Sequence, residues 1–172
     1  MSQLILLACL AAFPLLVLVA AARDLTSYTI PNWISLALVG AFVPAAAAGW
    51  AAGAPAPELL MCLGVGAGAL LAGIVMFTFG WIGGGDAKLF AASALWLGAP
   101  GLVPFLFWTA MAGGVLSIVL MVARRGRTAG GPDVERWLPQ LLRPGGPVPY
   151  GLAICAGALA ALRHAPLAQF AL

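Results

Sequence analysis

Apolar residues run along this chain in six long stretches, at 3–22, 31–50, 58–80, 87–99, 101–122 and 148–163. Turn chemistry marks the breaks. Pro31 opens the second stretch at the helix position that tolerates proline best. Gly53 to Pro57 separates the second from the third, Gly83-Gly84-Gly85 the third from the fourth, and Pro100-Gly101 the fourth from the fifth. A polar segment, 124–147, precedes the last. The pattern predicts an all-α polytopic membrane protein with about six transmembrane helices, forming a single membrane domain over 1–172 with one sizeable loop at 124–147. The fourth stretch is the short one. A helix from Asp86 to Ala99 rises about 21 Å at about 1.5 Å per residue, less than a hydrocarbon core of about 30 Å. Its Asp86 end is therefore expected slightly below headgroup level, within reach of water.

Composition points the same way. Of 172 residues, 63% are hydrophobic and 8% charged, and the mean hydropathy is +1.07. A water-soluble domain of this size has no interior large enough for that apolar surface, so the bilayer is the expected solvent and partner. The net charge of +3 invites a nucleic-acid reading. There is no long basic arm and no aromatic stacking platform, so no nucleic-acid partner is expected. Cys9, Cys62 and Cys155 each lie inside an apolar run without CxxC spacing. They read as small packing residues, and neither a metal nor another cofactor is expected. The stretch from Leu4 to Ala22 is long enough to span a bilayer, and no basic residue precedes it, so it reads as a retained helix and not as a signal peptide.

Charge sets the orientation. Six crossings place Arg23, Lys88, Arg124, Arg125, Arg127, Arg136 and Arg143 on one side and only Arg163 on the other. By the positive-inside rule the first side is cytoplasmic and both termini are outside. Within the cytoplasmic loop, Val134, Trp137, Leu138, Leu141 and Leu142 recur at helical spacing among polar residues, which predicts a short interfacial helix. Three glycine pairs, Gly49/Gly53, Gly64/Gly68 and Gly80/Gly84, have the spacing that lets helices approach closely in lipid.

Five residues are acidic. Glu58 opens the third stretch from the outer side, and Asp133 and Glu135 belong to the polar loop. Asp24 and Asp86 alone stand at the cytoplasmic ends of spans, where a carboxylate is costly and defaults to a functional reading. Asp86 follows three glycines, Gly83, Gly84 and Gly85, which let the backbone turn sharply and let another segment come close. Asp24 is followed by the polar turn Thr26-Ser27-Tyr28-Thr29. Both lie on one face of the membrane and are free to converge. Two close carboxylates cannot easily both ionise. The ionised one takes a proton from an attacking water and the protonated one donates to a carbonyl oxygen, which suits amide hydrolysis without a metal or a covalent intermediate. Asp86 opens a helix, where the dipole favours the anion, and Asp24 ends one; this assigns the base to Asp86 and the proton to Asp24, within a pair that titrates as a unit.

Asp24 to Asn32 (DLTSYTIPN) and Gly83 to Leu89 (GGGDAKL) resemble the two signature segments of the type IV prepilin peptidases, a GxGD group of membrane aspartyl proteases. Val148 to Ala153 resembles that family's final span. The resemblance implies an aspartic-type endopeptidase of the bacterial inner membrane, with Asp24 and Asp86 catalytic and the active site facing the cytoplasm. The substrate would be a prepilin, cut between a short basic leader and a hydrophobic helix. Lys88 and Asn32, inside the matched segments, are candidate site-supporting residues beside the three glycines. Lys88 also reads as a snorkelling interfacial lysine, and Asn32 as a cap or orienter of the turn after Asp24. The chain begins directly at a span and lacks the paired cysteines of longer members. It is similar to the short form associated with Flp-type, tight-adherence pili, so methyltransferase activity is not expected. Two readings from other classes compete: a small proton- or cation-coupled transporter, and a non-catalytic subunit of a pilus or secretion machine. A transporter would place its ionisable groups near the bilayer midplane, whereas these stand at one face. A serine or zinc protease is unsupported, since the single histidine, His164, lies at the far end of the last span and neither GxSxG nor HExxH occurs.

Overall fold

The computed structural model describes residues 2–125, 141 and 146–170. Five α-helices account for most of them: α1 (Ser2–Ser27), α2 (Asn32–Ala51), α3 (Ala56–Thr78), α4 (Gly84–Arg125) and α5 (Tyr150–Ala161), followed by 3₁₀ turns at Leu162–His164 and Pro166–Phe170. Helices α1 to α4 are long and apolar enough to cross a membrane. The outer faces carry the lipid-type surface that composition demanded, with Leu4, Leu36, Val43, Leu71, Val103 and Val122 all well exposed. On α2 the exposed Trp33 and Trp50 stand seventeen positions apart, about 26 Å along the axis, as interfacial aromatics would.

The fourth and fifth apolar stretches form one 42-residue element, α4, interrupted only at Gly98 (φ 57, ψ −168). A straight helix of that length would measure about 63 Å. It folds back instead. Phe90 and Phe105 stack across the break with ring centroids 4.7 Å apart, and the Asp86 and Arg124 ends both come to the surroundings of Tyr28. So α4 is a helical hairpin with a short first arm of fourteen residues, and the bend lies at Gly98, ahead of the Pro100-Gly101 position that turn chemistry predicted. Gly98 takes it for two reasons. Its positive φ is a conformation that side chains resist, and a Cβ there would meet Cys62 Sγ at 2.9 Å and Pro166 Cγ at 3.0 Å. Pro100 falls in the first turn of the second arm, where a missing N–H costs nothing. The sixth stretch is realised as the twelve-residue α5 and the 3₁₀ turns behind it. The interfacial helix expected around Val134 to Leu142 lies outside the described residues, apart from Leu141.

The first arm of α4 is the buried axis of the fold. Ala87, Leu89 and 91–98 are all buried. Trp96 anchors it: the indole N–H donates to the Leu38 carbonyl of α2 at 2.9 Å, and the ring packs against Phe13 of α1 and Phe42 of α2 with centroids 5.4 and 5.6 Å away. On the other side α3 comes close through Gly66 and Gly73, where a Cβ would meet Leu95 Cβ at 2.9 Å and Ala87 Cβ at 3.0 Å. These are not the glycines that the sequence spacing singled out. Gly64 and Gly68 face open space. Helix α5 packs against α4 and α1, with Gly157 pressed on Thr109, and α2 packs on α1. Cys62 and Cys155 are buried free thiols, in keeping with packing roles.

Candidate active site

The site forms where three helix ends meet. Helix α1 runs past Asp24 to Ser27, its last turn held by the Thr26 and Ser27 hydroxyls, which donate to the Ala22 carbonyl at 2.9 Å and the Arg23 carbonyl at 2.7 Å. Asp24 therefore lies inside the helix, on its buried side, and is 5% exposed. Its Oδ2 accepts the backbone N–H of Gly151, the second residue of α5, at 2.6 Å. Such a bond satisfies one of the free N–H groups that begin every helix. Gly151 has to be glycine for this. A Cβ there would stand 2.9 Å from both Asp24 Cβ and Oδ2, and 3.0 Å from Ile30 Cδ1.

Asp86 is the third residue of α4. Its carboxylate turns back to the backbone N–H of Gly83 ahead of the helix, the geometry of a capping box with glycine in the cap position. Gly85 lets the α1–α2 connection ride directly on this helix start, since a Cβ would meet Ile30 Cβ at 3.1 Å and the Ile30 carbonyl at 3.3 Å. Gly84 faces Phe77 of α3 in the same manner. Asp86 is near enough to Asp24 to feel its charge. Together with Tyr28, Thr29, Ile30 and the three glycines they line one cavity of about 290 Å³. The glycine triplet thus supplies the close approach expected of it, whereas the left-handed turn ahead of α4 falls at Gly80 (φ 71).

The helix-end argument that separates the two aspartates by sequence loses its force in three dimensions. Asp86 opens α4 as expected, but Asp24, at the end of α1, also sits against the opening of α5. Both carboxylates face helix N-termini.

Lys88 and Asn32 stand beside this cavity and not within it. Lys88 Nζ donates to Asn32 Oδ1 at 2.9 Å, tying the start of α2 to the first arm of α4. Asn32 is the first residue of α2 and makes no cap; Pro31 holds the N-cap position in extended backbone (φ −62, ψ 139). The pair marks one end of a separate apolar groove of about 490 Å³, walled by Leu36 and Val39 of α2, Leu63 and Leu70 of α3, and Ala91 and Leu95 of α4.

Two contributors were not singled out as site residues by the sequence. Tyr28, four residues after Asp24, ends α1 in a left-handed conformation (φ 53) and places its hydroxyl in a buried position without a hydrogen-bond partner. Burial pushes this phenol above the usual tyrosine range; Arg124 opposes the shift and Asp24 adds to it. Arg124, at the end of α4, fixes the chain that leads into α5 through four hydrogen bonds of 2.8–3.1 Å to the carbonyls of Leu141, Gly146 and Pro147. His164 is far from all of this, beyond the opposite end of α5, where it accepts from Arg163 Nε at 3.1 Å.

The model of the type IV leader peptidase family matches residues 11–118, which include both aspartates and both signature segments. The chain belongs to that family. It is a leader peptidase in general terms and a membrane protein. The match stops short of α5, so Gly151, which holds the peptidase's Asp24, lies beyond the matched stretch. No curated protein and no solved structure matches the chain.

Proposed function

We propose that this leader peptidase is an aspartic endopeptidase in which Asp24 and Asp86 activate water for cleavage of a prepilin. One observation carries the reading: two carboxylates from signature segments distant in sequence converge on a single cavity. With one proton between them, the ionised carboxylate takes a proton from water as the oxygen attacks the scissile carbonyl carbon. The protonated one gives its proton to the carbonyl oxygen. As the C–N bond breaks, the carboxylate that gave up its proton takes one back from a hydroxyl of the gem-diol, which restores the carbonyl, and the proton gained from water passes from the other carboxyl to the leaving nitrogen. Neither aspartate is assigned the proton, because both face helix N-termini and the pair titrates together.

The remaining elements of the proposal rest on charge and resemblance. Seven of eight basic residues fall on the side of the carboxylates under six crossings, which supports a cytoplasmic site, and the resemblance supports a bacterial inner membrane. A cavity at helix ends suits a peptide bond between a basic leader and a hydrophobic helix. The similarity to short-form members points to Flp-type pilins. Co-expression with a pilin precursor tests the mechanism. Asp24→Asn and Asp86→Asn keep shape and volume, and each is expected to leave the precursor uncut while the protein is still recovered in the membrane. Processing by either variant at the unmodified rate would remove the dyad from consideration.

A further inference from the structure

We propose that Tyr28 is a third catalytic residue, whose phenolic O–H donates to the carbonyl oxygen of the peptide bond held between Asp24 and Asp86. The inference rests on the peptidase reading above and adds to the dyad a neutral donor.

Three independent observations lead to it. The first is backbone conformation. A helix that ends on a left-handed residue usually has glycine there, because a Cβ is crowded in that conformation. Here the position is occupied by tyrosine at φ 53, the one described non-glycine residue with positive φ, its N–H still bonded to the Asp24 carbonyl at 2.9 Å. A bulky residue held in that region by its surroundings marks a place where function has been favoured over local comfort. The second is the hydroxyl itself. It is buried and has no hydrogen-bond partner. Buried polar groups are nearly always paired, so an orphan of this kind is poised for a group that arrives later. Arg124 is the nearby charged residue that would be its natural companion, but four of its N–H bonds are turned onto backbone carbonyls. The third is location. Tyr28 lines the same 290 Å³ cavity as Asp24 and Asp86.

The chemistry follows. In the addition step negative charge develops on the carbonyl oxygen, and a preorganised donor aimed at that oxygen stabilises the transition state more than the ground state. A buried phenol beside Asp24 stays protonated and remains a donor throughout. It transfers no proton, so the proton balance of the dyad is unchanged.

The test uses the full-length protein in detergent or liposomes and a synthetic precursor peptide that contains leader and hydrophobic segment. Tyr28→Phe removes one oxygen and leaves ring and backbone in place. Its kcat is expected to fall about 10²-fold, the usual cost of losing one such donor, with KM within about threefold. Tyr28→Gly relieves the left-handed conformation, so it is expected to melt higher than the unmodified protein while losing at least as much kcat. Normal kcat for Tyr28→Phe, or a rise in KM alone, would reduce Tyr28 to a packing or ground-state role and overturn the proposal. A lower melting point for Tyr28→Gly would overturn the strain argument. The unmodified protein separates the two levels of inference: if it fails to cut the precursor the peptidase reading falls and takes this one with it, whereas an active parent with an equally active Tyr28→Phe sinks only the phenol.

Discussion

Replacing Gly151 with alanine adds one carbon at the point where the last helix meets Asp24. That carbon would stand 2.9 Å from Asp24 Cβ and Oδ2 and 3.0 Å from Ile30 Cδ1. Carbon atoms in good contact stay about 3.5–4.0 Å apart, so three groups have to yield by roughly half an ångström or more. Ile30 Cδ1 and Asp24 Oδ2 end their side chains and can swing aside, the latter at the expense of its bond to Gly151, but Asp24 Cβ is fixed by α1. The overpacking should destabilise the fold by about 1–3 kcal/mol. The cost to reaction is larger, since a displacement of about 1 Å in a catalytic group can lower a rate about 10²-fold. The expected result is a loss of that order in kcat/KM, read as initial rate of precursor cleavage on gels, with membrane recovery unchanged. Gly64→Ala and Gly68→Ala, at positions with open space around them, serve as controls and are expected to cut normally. If Gly151→Ala matched the controls, the contact between α5 and Asp24 would have no part in the site.

Two further outcomes follow from the packing. Trp96→Phe deletes the N–H that bonds the Leu38 carbonyl at 2.9 Å and leaves a gap in the buried axis; it is expected to lower stability by about 1–3 kcal/mol, measured as a drop in melting temperature in detergent, and Trp96→Ala by about 3–5 kcal/mol. Lys88→Ala and Asn32→Ala should each slow cleavage only modestly, and the double variant should be no slower than the worse single, because one exposed bond joins them. Additive losses in that cycle would mean that the two side chains act separately.

The helices were legible because apolar runs in a bilayer protein have few other meanings. α1, α2 and α3 lie within a few residues of the runs that foretold them. The break in α4 was displaced because proline is the stronger punctuation in a sequence, whereas the bend went to the glycine that a side chain would have jammed against Cys62 and Pro166. The glycine pairs at helical spacing misdirected for a related reason: spacing says which glycines share a face, not which face meets a neighbour. Asp24 and Asp86 stood out since charge at membrane depth is rare and both follow or precede recognisable turns. Tyr28 and Gly151 did not. A tyrosine in a left-handed helix end contradicts residue preference, so no propensity argument finds it. The bond from Gly151 to Asp24 bridges 127 positions, and no local pattern encodes such a partner.

That bond also bears on how the protein is made. Synthesis proceeds from α1 to α5, so Asp24 enters the membrane first and waits for its partner until nearly the whole chain has been inserted. Before then its carboxylate lacks the N–H that holds it. A half-made chain, or one that stalls before α5, would carry both signature segments and still have no finished site. On the proposed dyad mechanism, the docking of the last helix is the step that completes the hold on Asp24.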